Sequence, residues 1–120
     1  MTEEGHEQCH VVAYCDWNKI PVYHVPNGGK RNRLEAAALK REGVKPGVPD
    51  LVITVAKGKY HGLYIEMKVG DNKTTKNQDE WIELLNNNGY LAVVCYGSHA
   101  AIDVIEKYMH LKEGEAYAKM

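Results

Sequence analysis

The sequence has 120 residues, of which 44% are hydrophobic and 26% are charged, and its formal net charge is −1. This length and composition are typical of one globular domain with a core of its own, and they exclude wholesale disorder. No apolar run approaches the ~18 residues of a membrane-spanning helix, and the acidic, polar N-terminus is unlike a secretory signal. We therefore expect a single domain over residues 1–120 that does not associate with membranes.

Local signals in the first third of the chain predict a helix, a strand and a second helix. Thr2 can cap the first helix, which runs to about Trp17. Two acidic residues in the first turn suit the positive end of the helix dipole. A short strand over residues 20–25 leads into a Gly-rich loop, and an Ala-rich helix follows over residues 34–42.

The middle of the chain predicts a β-hairpin. Apolar, β-branched residues at 50–55 and a second strand pattern at 61–68 flank a Lys-Gly-Lys turn. With the helix and strand that follow, this hairpin gives the order α-β-α-β-β-α-β-α. That order predicts a mixed sheet with helices on its faces, which is an α/β architecture.

The last third predicts a helix, a strand and a helix. Thr75 is expected to cap a helix that ends near Asn88 and buries Trp81, Leu84 and Leu85. A strand over residues 90–96 precedes a final helix, which we expect to be capped by Ser98 and to end near residue 111, with a frayed tail from about residue 112.

Three charged residues are predicted to meet at one end of the hairpin. Asp50 lies at the head of the first strand, while Glu66 and Lys68 share one face near the end of the second. Because antiparallel strands place the start of one beside the end of the next, the two carboxylates can meet. Convergent carboxylates are typical of a Mg²⁺ or Mn²⁺ site, and a nearby ammonium can orient an attacking water. Each fragment alone is more typical of a turn or an exposed strand face than of a functional site, whereas their pairing at facing strand ends favours a functional site.

Short motifs around these residues carry a family resemblance. They are Pro26-Asn27-Gly28-Gly29-x-Arg31, Gly47-Val48-Pro49-Asp50-Leu51, Gly62-Leu63-x-Ile65-Glu66-x-Lys68, Gln78 and Gly89-Tyr90. Pro49-Asp50 with Glu66-x-Lys68 resembles the PD-(D/E)xK nuclease signature, and the whole set resembles the virus-type replication-repair nuclease family, VRR-NUC. The resemblance implies a restriction-endonuclease-like fold and divalent-metal hydrolysis of branched DNA. Small members of viral type are similar to Holliday-junction resolvases that act as homodimers.

The resemblance also implies roles for individual residues. Asp50 and Glu66 would be metal ligands, Lys68 would be the catalytic lysine, and Gln78 would be the helix glutamine that helps to orient the active site. The alternative for Gln78 is a solvated residue in the first turn of its helix.

The family further implies an acidic residue on the first helix, ahead of a glutamine. Glu4 fits best, because it lies four residues before Gln8 and therefore shares its face. Glu7 is adjacent to Gln8 and points elsewhere. We accordingly add Glu4 to the candidate metal ligands and catalytic residues, with a role at the helix dipole as the alternative.

A basic loop is the candidate DNA-binding segment. Residues 19–60 carry a net charge of +6, and Lys30, Arg31 and Arg33 follow two glycines that let the backbone approach a phosphate closely. Lys45 could extend this positive track, whereas a flexible turn is the alternative. We find no recognition-helix motif, which favours contacts to the DNA backbone over base readout.

A competing motif lies on the first helix. His6-Glu7-Gln8-Cys9-His10 matches H-E-x-x-H, the helix signature of zinc proteases. Only five residues precede His6, which leaves no room for the strand beside the substrate cleft of such enzymes. Two surface histidines on an amphipathic helix explain the match better.

These patterns favour a metal-dependent, structure-specific DNA endonuclease, specifically a homodimeric Holliday-junction resolvase that uses Mg²⁺ or Mn²⁺ and no organic cofactor. A flap- or end-specific repair nuclease and a non-catalytic junction-binding module are the alternatives. Three widely spaced cysteines, Cys9, Cys15 and Cys95, do not form a disulfide framework. They favour a cytoplasmic location, in a bacterium or an infected cell.

Overall fold

A computed structural model describes residues 1–26 and 32–118. It contains the predicted elements in the predicted order, which confirms the α/β architecture. In chain order they are α1 (Glu3–Trp17), β1 (Val22–His24), α2 (Arg33–Arg41), β2 (Leu51–Ile53), β3 (Leu63–Lys68), α3 (Lys76–Asn87), β4 (Leu91–Tyr96) and α4 (Ser98–Met109).

The four described strands form one mixed sheet in the order β1-β2-β3-β4. β1 and β2 pair antiparallel, as do β2 and β3, whereas β3 and β4 run parallel. The predicted hairpin is therefore confirmed, with Leu51 opposite Ile65. This register places Asp50, one residue before β2, at the end of the sheet where β3 carries Glu66 and Lys68.

The central strand β3 divides its side chains between two environments, because alternate residues face opposite sides. Leu63, Ile65 and Met67 are fully buried in the hydrophobic core. α1 and α4 pack against each other and supply the rest of this layer, including Val11 and Tyr108. Of the intervening residues, Glu66 hydrogen-bonds Gln78 of α3 and Tyr64 lines a cavity together with Trp81 of α3. The polar residues of the strand therefore lie on the opposite side from the main core.

Hydrogen-bonding side chains cap three of the helices. Thr2 accepts from the Gly5 N–H and Thr75 from the Gln78 N–H, which confirms both predicted caps, and Asn32 accepts from the Glu35 N–H at the start of α2. Each cap satisfies a donor that the first helical turn leaves unpaired. None of the described helices combines the length and apolar composition needed to cross a bilayer.

Two predictions about helices are wrong. Ser98 does not cap α4, because Gly97 occupies the cap position and a side chain of α1 hydrogen-bonds the helix end instead. In α3, Leu85 is buried but Leu84 is 50% exposed and Trp81 only half-buried. The reason is that α3 packs mainly against β4, so that a narrower face of the helix than expected is covered by the sheet.

Residues 112–118, for which the sequence predicts a frayed tail, make contacts with the rest of the fold. The carbonyl of Glu115 accepts a hydrogen bond from the Lys59 N–H, and the Tyr117 N–H donates to the Tyr60 hydroxyl. Tyr117 additionally packs against the core. The segment is therefore attached to the turn between β2 and β3.

Candidate active site

Asp50 is held in place by hydrogen bonds on both its side chain and its backbone. Its Oδ2 accepts from the Met67 N–H at 2.8 Å. Its carbonyl accepts from the Val25 N–H at 2.8 Å and from Nδ1–H of His24 at 2.9 Å. The carboxylate is thus fixed between β1 and β3, with one oxygen committed to the backbone of β3.

Glu66 is the most buried charged residue of the site, with 3% of its surface exposed. Its Oε2 accepts from Nε2 of Gln78 at 3.1 Å and lies 3.8 Å from Nζ of Lys68. Its Oε1 is buried and has no hydrogen-bond partner. An unpaired buried carboxylate oxygen costs free energy, and a bound cation would offset this cost.

The electrostatics of the site show an excess of negative charge. Burial, followed by the nearby negative charge of Asp50, raises the pKa of Glu66 to about 8, while Lys68 opposes the shift. Burial and the charge of Asp50 also raise the pKa of Glu4, again against Lys68. One lysine does not neutralise this group of carboxylates, so the site favours a bound cation.

The two candidate carboxylates of α1 have different surroundings. Glu4 lies in the electrostatic field of Asp50 and Lys68. Glu7 instead accepts from the Ser98 N–H at 2.9 Å and lies 3.3 Å from the Ser98 hydroxyl, at the start of α4. Glu4, and not Glu7, therefore interacts electrostatically with Asp50 and Glu66, but within the described residues these three carboxylates are not grouped closely enough to hold a metal ion together.

The connector before β2 fixes the position of α3 relative to Asp50. Gly47 has a φ of +92°, and a Cβ atom there would lie 2.5 Å from the backbone carbonyl carbon of Asn77. Only glycine permits this approach without displacement. The helix that carries Gln78 is consequently packed directly against the segment that leads into Asp50.

The zinc-protease motif has a structural explanation. Glu7 binds the end of α4, and its other oxygen lies 3.6 Å from Nδ1 of His10. Within residues 1–26 and 32–118, no three His, Cys, Asp or Glu side chains are grouped closely enough to hold a metal ion by themselves. A cation at Asp50 and Glu66 would therefore need oxygen ligands from water or substrate, as Mg²⁺ commonly does.

The predicted DNA-binding residues are only partly described. Lys30 and Arg31 lie outside the described residues. Arg33 begins α2, a helix in which no residue is buried. Lys45 is exposed in the connector and, together with Asn77, lines a cavity of about 300 Å³ beside α3. Of the predicted DNA-binding residues that the structure describes, Lys45 is thus the one that lies beside α3, the helix that carries Gln78.

His24 was missed from the sequence. It is exposed on β1, yet its ring holds the carbonyl of Asp50. His24 lies next to Asp50 because it pairs with Leu51 across β1 and β2. Local sequence patterns do not reveal which strand β1 pairs with, so they could not predict this contact.

The fold and the site together define a nuclease-type α/β protein, in which an Asp, a Glu and a Lys meet at adjoining strand ends. The family model described as the VRR-NUC domain matches residues 3–99. The chain therefore belongs to the VRR-NUC family, and the family predicted from its motifs is confirmed.

Solved structures agree with this assignment. One described as a "VRR_NUC domain protein" is 37% identical, with a TM-score of 0.84 and 98% of each chain covered. A second, described as a "VRR_NUC domain", is 20% identical, with a TM-score of 0.65, 90% of this chain covered and 99% of the other, and it shows the fold alone. No match to a curated protein was found.

Proposed function

We propose that this member of a nuclease family is a divalent-metal-dependent endonuclease that hydrolyses phosphodiester bonds in branched DNA, specifically a Holliday-junction resolvase that acts as a homodimer. The observation that carries the proposal is the buried, unpartnered Oε1 of Glu66, next to Asp50 and Lys68. Such an oxygen is a suitable ligand for a hard cation, and oxygens of DNA phosphates can complete the coordination shell of that cation.

Asp50 and Glu66 would hold the cation, with Glu4 contributing further negative charge. When bound, Mg²⁺ or Mn²⁺ polarises a phosphodiester and lowers the pKa of an attacking water. The protein's own contribution is to fix the carboxylates before DNA arrives. Asp50 is held by the Met67 N–H, and Glu66 by Gln78.

Lys68 supplies the positive charge beside the cleavage point. Its side chain is only 11% exposed, so its ammonium is confined near Oε2 of Glu66 at 3.8 Å. A confined ammonium can orient a water molecule and stabilise the negative charge that develops on the phosphate oxygens. We propose this role for Lys68, with Gln78 acting on Glu66.

DNA binding would rely on contacts to the backbone. We propose that Arg33, Lys45 and the loop residues Lys30 and Arg31 bind phosphates on either side of the cleavage point. Symmetric cutting of a four-way junction needs two active sites, and a two-fold dimer supplies them. For location we propose a cytoplasm, since no disulfide links the cysteines in the described chain.

The test compares cleavage of a labelled four-way junction, a flap and a linear duplex of the same sequence, with Mg²⁺, with Mn²⁺ and with chelator. We expect paired, symmetric nicks on the junction only when metal is present. Asp50→Ala and Lys68→Ala should abolish cleavage and leave junction binding largely intact. Asp103→Ala and Lys107→Ala are matched controls, because they remove an exposed ion pair on α4.

The other outcomes separate the alternatives. Cutting of flaps or duplex with metal keeps the nuclease and overturns the junction assignment. Binding of junctions without cutting by any metal supports a non-catalytic binding module. Sedimentation of the protein as a monomer on the junction overturns the homodimer, and wild-type cleavage by Asp50→Ala overturns the site.

A further inference from the structure

The side-chain amide of Gln78 makes two hydrogen bonds, one to a donor and one to an acceptor. Its Oε1 accepts from the backbone N–H of Thr75 at 2.9 Å. Its Nε2 donates to Oε2 of Glu66 at 3.1 Å. Thr75 is the cap of α3, and its hydroxyl accepts in return from the Gln78 N–H at 3.2 Å, so the two residues form a capping box.

The capping box determines which end of the amide faces Glu66. A backbone N–H can only donate, so it requires the oxygen of the Gln78 amide. Rotating the amide by half a turn would place N–H against N–H at Thr75 and a carbonyl against the carboxylate of Glu66. That arrangement loses both hydrogen bonds and adds repulsion, so the amide presents its NH₂ group to Glu66.

The orientation of the amide in turn determines which oxygen of Glu66 is available. Gln78 and Lys68 both address Oε2, at 3.1 Å and 3.8 Å. Oε1 is left buried and without a partner. The donors are therefore concentrated on one oxygen, and the other is kept for the cation.

We infer that Thr75 is a positioning residue for the cleavage reaction, acting through the Gln78 amide to hold Glu66 with Oε1 free. This inference rests on the proposed function of the same site. Because Thr75 acts through another residue, it affects the rate of the reaction more than the affinity for DNA.

A series of variants at Thr75 separates its two hydrogen bonds. Thr75→Ser keeps both, Thr75→Ala removes only the hydroxyl, and Thr75→Pro removes the hydroxyl and the backbone N–H. The φ of −86° at Thr75 is close to that of proline, so the last change suits the backbone. The comparison of Thr75→Ala with Thr75→Pro isolates the N–H that orients the amide.

We expect Thr75→Ser to behave as wild type and Thr75→Pro to lower kcat about tenfold further than Thr75→Ala, with KM for DNA changed less than twofold. Gln78→Glu keeps a carboxylate acceptor for the capping box but loses the donor to Glu66, and should lower kcat at least as much. Asn88→Ala is the matched control, since it removes a side-chain hydrogen bond, to the Leu84 carbonyl, at the opposite end of α3 and leaves the Thr75 cap intact.

A second measurement needs neither metal nor DNA. The side-chain NH₂ signals of Gln78 in the NMR spectrum should shift, and should exchange faster with solvent, in Thr75→Pro but not in Thr75→Ser. Unchanged NH₂ signals, or wild-type kcat, in a folded Thr75→Pro protein would overturn the inference. Failure of the wild-type protein to cut any DNA would instead overturn the proposed function, and the NH₂ signals would still report whether Thr75 orients Gln78.

Discussion

At the scale of single residues, Glu66 is the group on which the site depends most. It combines burial with a neighbouring Asp50 and an unpartnered oxygen, a combination that is unfavourable in the protein alone. Buried ionisable groups with strongly shifted pKa values are concentrated at functional sites because their cost must be offset by a ligand or by chemistry. The metal-free protein should therefore show this cost directly.

Stability of the metal-free protein should fall as the pH rises. The pKa of Glu66 is about 8 in the folded chain, against an ordinary value of 4.5, so the folded state binds this proton more tightly than the unfolded state. Folding is consequently weakened between about pH 4.5 and pH 8, and we expect a loss of roughly 2–4 kcal/mol from this group. Urea unfolding in chelator at pH 5 and pH 8 measures it.

Glu66→Gln should remove most of this pH dependence and raise the stability at pH 8. Glu83→Gln, an exposed change on α3, serves as the control. Added Mg²⁺ should stabilise the wild type more at pH 8 than at pH 5, because the ligand must be deprotonated. An equal pH dependence in wild type and Glu66→Gln would contradict the assignment of the shifted group.

Much of this residue-level arrangement follows from sequence. The meeting of Asp50 and Glu66 is a consequence of antiparallel pairing and the two-residue period of strands, and the Thr75 cap has a local signal. No local signal in the sequence predicts that Gln78 and Lys68 both address Oε2 of Glu66 and leave Oε1 without a partner. This arrangement depends on the approach of α3 to β3, which is a matter of packing between distant segments.

At the scale of elements, the contact between α1 and α4 places the N-terminal carboxylates. Glu7 binds the Ser98 N–H, and the adjoining Gly97 would bring a Cβ atom to 3.1 Å from the same carboxylate. An acidic group at a helix N-terminus is favoured by the unpaired N–H groups and by the helix dipole. Sequence patterns identify Glu7 as part of an accidental zinc motif but cannot reveal this partner, which is 91 residues away.

Glu7→Ala should lower the free energy of unfolding by about 1–2 kcal/mol and reduce cleavage about tenfold, because α1 then holds Glu4 less firmly beside Asp50. Glu7→Gln retains an oxygen that can accept from Ser98 and should keep most of the stability and activity. Urea unfolding and the Mg²⁺ dependence of cleavage measure the two effects. Glu3→Ala, an exposed neighbour, is the control; if Glu7→Ala matched it in both measurements, the role of Glu7 would be refuted.

At the scale of the whole molecule, the sheet separates chemistry from structural support. Asp50, Glu66 and Lys68 lie at one end, and the turn between β2 and β3 lies at the other. Residues 112–118 bind this distant turn through Lys59 and Tyr60. Their polar composition suggests a frayed tail, and only the three-dimensional arrangement shows where Tyr117 can pack.

Deletion of residues 112–120 should lower the free energy of unfolding by about 2 kcal/mol, or several degrees in Tm, because it removes the packing of Tyr117 and two hydrogen bonds. Tyr60→Phe removes only the hydroxyl that accepts from Tyr117 and should cost about 1 kcal/mol. Below the melting transition both variants should cut DNA at the wild-type rate, since the tail is remote from the site. A truncated protein with unchanged Tm would show that these contacts contribute nothing.

The contact between Glu7 and Ser98 also has a consequence for synthesis on the ribosome. A nascent chain that ends before residue 98 already contains Asp50, Glu66, Lys68 and Gln78, but it has no α4 for α1 to pack against. The helix that carries Glu4 can make its contacts with β1 and β3 earlier, but it gains its contacts with α4 only after residues 98–109 have emerged. We therefore expect a chain shortened to residues 1–97 to cleave DNA more slowly than the full sequence, so that a nuclease of this design would gain its full activity only late in its synthesis.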